Sequence, residues 1–102
     1  VIQDQSQPRG KPAGTGLYLF GKPAGVVYVF QAGDELPAHT HEDADNHITV
    51  LTFGAIELSG DRAGEVHEAA PGKAVILDWK VGELHGFKAL IDGTTAANIR
   101  RW

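Results

Sequence analysis

Histidines 39, 41 and 47 crowd into one short stretch, GDELPAHTHEDADNHITVLTFG, bracketed by Gly33 and Gly54. His39 and His41 are two residues apart, so in an extended segment both imidazoles point to the same side. One face then offers two nitrogen ligands to a single ion. His47 follows an acidic connector, Glu42 to Asn46, that lets the chain bend and bring a third imidazole to the same point. There is no cysteine, so a metal held here must sit on nitrogen and oxygen, and thiolate sites of the zinc-finger type are excluded. No Ser-His-Asp pattern, phosphate loop or carboxylate pair at catalytic spacing accompanies the histidines.

A further ligand has to come from a distant strand that closes beside the first pair. His85 is the candidate: it follows the turn residues KVGE and begins a strand, a position at the end of a barrel, where small-molecule sites lie. His67, between Glu65 and Glu68 in the middle of a short strand, reads as a surface residue.

The elements that must position these residues are strands. TGLYLF (15–20), VVYVFQ (26–31), 36–41, HITVLT (47–52), AIELS (55–59), EVHEA (65–69), KAVILDW (73–79), HGFKAL (85–90) and TTAANIRRW (94–102) are separated by Gly- and Pro-containing turns. Phe53-Gly54 is read as the turn of a hairpin. Nowhere do apolar residues recur at helical spacing long enough to demand a helix. Eight or nine short strands predict an all-β antiparallel sandwich or small barrel in one domain over 15–102, behind a loose arm of Gln, Pro and Gly over 1–14.

Composition narrows the partners. A formal charge of −4, with no basic cluster longer than Arg100-Arg101, gives no footprint for a nucleic acid or an anionic membrane. No apolar run approaches the roughly 20 residues of a membrane-spanning helix. A cytoplasmic protein is expected.

The pattern Gly33-x5-His39-x-His41-x5-His47-x6-Gly54 resembles the first motif of the cupin superfamily: glycine, five residues, His-x-His, a short connector, glutamate, six residues, glycine. The second cupin motif is matched in part, by Gly82 and His85, while Lys80 and Ala89 stand where proline and asparagine are usual. The resemblance covers roughly residues 15–102 and implies a double-stranded β-helix, or jelly-roll barrel, of the small single-domain type. It implies His39, His41, His47 and His85 as ligands of one divalent transition metal, iron, manganese, nickel, copper or zinc. His47 takes the place of the usual glutamate after a longer connector, with Asp45 or Asn46 as alternatives for that place.

A neutral imidazole in place of a carboxylate leaves the ion its full double positive charge, which favours a small anionic or carbonyl-bearing ligand. Glu42, Asp43 and Asp45 are candidate acceptors for imidazole N–H groups. By strand parity, Thr49 and Leu51 share the inward face with His47, and Phe87 shares it with His85; Tyr28, Phe30 and Trp79 are further pocket candidates, with core packing as their plainer role. Similar cupins imply dioxygenase or isomerase chemistry; the alternative is a non-catalytic small-molecule-binding or sensor protein. A homodimer through edge strands is expected by the same analogy.

Overall fold

Alternating apolar residues and glycine turns fold the chain into antiparallel strands, and the computed structural model describes residues 13–40 and 46–101. The strands are β1 (Ala13–Leu19), β2 (Lys22–Phe30), β3 (Glu35–His39), β4 (Asn46–Gly60), β5 (Val66–Ala69), β6 (Val75–Trp79), β7 (His85–Ala89) and β8 (Thr94–Arg101). Among the described residues there is no helix, and none long and apolar enough to cross a membrane.

Strand β4 organises the barrel. Its first half pairs with β6 on one side and β8 on the other, and β8 continues through β2 to the edge strand β1. Its second half pairs with β5 and β7, and β7 carries β3 at the other edge. The fold is therefore a curled antiparallel sheet in which one strand belongs to both walls.

This corrects the expected hairpin at Phe53-Gly54: the strand runs through it for 15 residues. A register shift between Leu51 and Phe53 bends the strand, and Gly54 supplies a left-handed backbone with φ of 99°. A Cβ at Gly54 would run into Thr94, so only glycine fits the corner. The true two-residue turn lies between β1 and β2, where Phe20 and Gly21 both have positive φ, 49° and 79°, as in a type I′ hairpin.

Inward residues of both walls meet in one core of Phe30, Leu51, Ile56, Leu58, Leu77, Trp79 and Phe87. Phe30 and Phe87 pack edge to face at 5.4 Å. Each such side chain contributes about 1.5–3 kcal/mol by leaving water.

Candidate functional site

Strand pairing brings histidines from both walls to one end of the barrel. His39 at the end of β3 lies directly opposite His85 at the start of β7, and His47 at the start of β4 lies opposite Trp79 at the end of β6. The rings of His39 and His85 are 4.7 Å apart, and those of His47 and His85 are 6.5 Å apart. Gly86, next to His85, lets the β3 backbone pass against it, since a Cβ there would meet Leu36 and Ala38 within 2.8 Å. His85 is buried and stacks on the Trp79 indole, nearly parallel at 5.0 Å. The guanidinium of Arg62 lies 5.1 Å from the centre of the same indole and is held by two hydrogen bonds to Glu65.

Two of the imidazoles are oriented in the same way. His39 Nδ1 is 2.8 Å from the Pro37 carbonyl, and His85 Nδ1 is 2.9 Å from the Glu83 carbonyl, in each case two residues upstream. A carbonyl only accepts, so both Nδ1 atoms carry a proton, which in the neutral ring leaves the lone pair on Nε2. Burial pushes the His85 pKa down; its bond to the Glu83 carbonyl opposes that, and the neighbouring His39 reinforces it. A neutral, Nδ1-protonated imidazole braced by a carbonyl is the form that ligates a metal. The donor chemistry of this pair therefore fits a transition metal. Among the described residues, no three His, Cys, Asp or Glu side chains are grouped as a metal site. His41, the connector acids at 42, 43 and 45, and the side chain of Asn46 lie outside what is described.

Beside the histidines opens a cavity of about 310 Å³. Its walls are the inward residues of β2, Ala24, Val26 and Tyr28, with Leu36 of β3; His39, His47 and Asn98 supply its polar groups. Of the pocket residues expected from parity, Tyr28 lines this cavity, whereas Phe30, Leu51, Trp79 and Phe87 are fully packed core beneath it. Thr49 is buried behind the cavity wall.

Thr49 joins a hydrogen-bonded series that the sequence reading missed. The Trp79 Nε1–H donates to Thr49 Oγ1 at 2.8 Å, and Thr49 Oγ1–H donates to Asn98 Oδ1 at 2.6 Å. Thr49 and Asn98 are direct cross-strand partners of β4 and β8. With the amide turned over, the buried hydroxyl proton would lack its acceptor, at a cost of about 1–3 kcal/mol. The signal for Asn98 was present in the parity of β8, where it is the one carboxamide in the alternating set Thr94, Ala96, Asn98 and Arg100.

No protein-family model and no curated protein matches this sequence. Solved structures do, and they place the chain in a class by its fold: it has the cupin barrel. It is similar to an RmlC-like cupin protein from Desulfovibrio desulfuricans, with a TM-score of 0.61 and 20% identity over 98% of this chain and 89% of that one. It is also similar to the capsular polysaccharide assembling protein CapF from Staphylococcus aureus, with a TM-score of 0.53 and 17% identity over 95% of this chain and 29% of CapF.

Proposed function

We propose that this cupin-fold protein holds one divalent transition metal on His39 and His85, completed by His47 and His41, and binds a small anionic or carbonyl-bearing molecule in the adjoining cavity. The observation that carries this reading is the matched bracing of His39 and His85 by carbonyls two residues upstream, which aims two Nε2 lone pairs from opposite strands. A bound metal would supply Lewis-acid polarisation of a ligand oxygen, as dioxygenase and isomerase chemistry requires. The chain's own part is to orient the imidazoles, exclude water with the apolar β2 wall, and hold the ligand body against Tyr28 and Leu36.

A non-catalytic binding or sensing role is the second reading, supported by the lining of the cavity among the described residues, which holds no carboxylate and offers only the histidines and Tyr28 for acid-base work. Calorimetric titration of chelator-treated protein with Zn²⁺ and Ni²⁺ tests the site: we expect one equivalent bound and at least tenfold weaker binding in His85→Ala. Equal affinity in the variant would remove His85 from the site. Dioxygen uptake and proton exchange of enolisable acids, assayed with the metal-loaded protein, separate the two readings.

The place of β1 at the end of the sheet among the described residues and the exposed side chains of Tyr18, Leu19 and Phe20 support a homodimer through that hairpin. Light scattering should return about twice the 10.9 kDa chain mass, and a value near the chain mass itself would refute it.

A further inference from the structure

The series from Trp79 through Thr49 to Asn98 has a fixed polarity. An indole N–H can only donate, so Thr49 Oγ1 accepts a hydrogen bond from Trp79 and donates its own O–H to Asn98 Oδ1. Trp79 and Thr49 are both buried, at 2% and 1% exposure, so neither has water as a substitute partner. The Asn98 carboxamide oxygen is thereby engaged, and the amide cannot turn over without stranding the hydroxyl proton. Thr49 takes one of the two lone pairs of Oδ1, and the Nδ2 group of Asn98 is a donor with no acceptor character. Asn98 lines the cavity, together with the apolar Val26 that pairs with it on β2 and with His39 and His47.

We propose that Asn98 is the specificity-determining residue of this cavity: its Nδ2–H donates to an acceptor oxygen, carboxylate or carbonyl, on a small ligand whose apolar body packs against Val26, Tyr28 and Leu36. Thr49 is a positioning residue that acts through Asn98. The proposal rests on the cavity being the ligand site, as read above, and is independent of the metal. A ligand offering a protonated amine at this position meets a donor facing a donor and is rejected.

The test uses chelator-treated, ¹⁵N-labelled full chain and two probes of similar apolar body, benzoate and benzylamine, followed by NMR titration. Benzoate is expected to shift the Asn98 side-chain amide cross-peaks and to bind at least tenfold more tightly than benzylamine. Asn98→Asp keeps an acceptor for Thr49 while replacing the donor by a carboxylate oxygen, and should reverse that preference. Thr49→Val should lower the benzoate-to-benzylamine ratio several-fold, a change that a purely structural role for Thr49 would not produce. Benzoate shifting the backbone of Val26 and His39 but leaving the Asn98 amide unmoved would overturn the role of Asn98 and keep the cavity as a ligand site. Neither probe perturbing any of these residues would overturn both, whatever the separate Zn²⁺ titration returns. The wild-type amide signals decide the matter even if a variant fails to fold.

Discussion

Three contacts converge on His85: His39 opposite, the Trp79 indole stacked on it, and the Glu83 carbonyl holding its Nδ1 proton. Burial disfavours its charged form, so the folded state takes up a second ring proton, on Nε2, less readily than the unfolded chain does. The sign follows from linkage: metal-free protein keeps the full contribution above the ordinary imidazole range and loses it as pH falls through the lowered folded pKa. Urea denaturation at pH 8 and pH 5 should therefore give a larger acid-induced loss in wild type than in His85→Asn; equal losses would mean that the imidazole is protonated as easily inside as outside. At this scale the start of a strand at His85 was legible in the sequence, and so was the nearness of His39, His47 and His85, while His41 lies outside the described residues. The carbonyls of Pro37 and Glu83 were not, since a backbone acceptor leaves no mark in residue type. Asn98 was missed because its role depends on Thr49 across the sheet, 49 residues away.

Strands β4 and the β1–β2 turn show how glycine signals can be read two ways. Gly54 stands at a corner where β4 passes from one wall to the other, with positive φ and Thr94 against it. Gly54→Ala combines backbone strain with overpacking, each costing about 1–3 kcal/mol, so melting should fall by at least about 10 °C. A change under about 2 °C would mean that the corner tolerates a Cβ. At the β1–β2 turn the cost runs the other way. Phe20 holds a left-handed conformation while its side chain is 96% exposed in the single chain, so at concentrations too low for the hairpin to pair with a second copy Phe20→Asn removes strain without removing burial. We expect a gain of about 1 kcal/mol, seen as a rise in melting temperature of about 4–8 °C. β-Branched runs and turn residues made nearly every strand legible. The Phe53-Gly54 hairpin was misread because a positive-φ glycine serves a turn and a bulged corner equally, and the choice is made by which strands lie beside it.

For the molecule as a whole, one shared strand and two walls produce a barrel whose one end gathers His39, His47, His85 and the cavity, while Phe30, Leu51 and Phe87 close the interior beneath. Phe87→Ala, by opening that floor, should cost about 3–5 kcal/mol in urea denaturation, and a loss below about 1 kcal/mol would contradict the packing described. The barrel was legible as a class from strand count and glycine spacing; the position of the cavity against β2 was not, because its lining comes from four strands, β2, β3, β4 and β8, that only the closed fold brings together. Metal binding at the histidines is tested by elemental analysis of protein purified without chelators or a histidine tag, beside His39→Ala and His85→Ala. We predict close to one equivalent of a transition metal in the wild type and little in either variant. A folded wild-type protein that carries no metal, and takes up none when iron, manganese, nickel and zinc are offered in turn, would contradict the account.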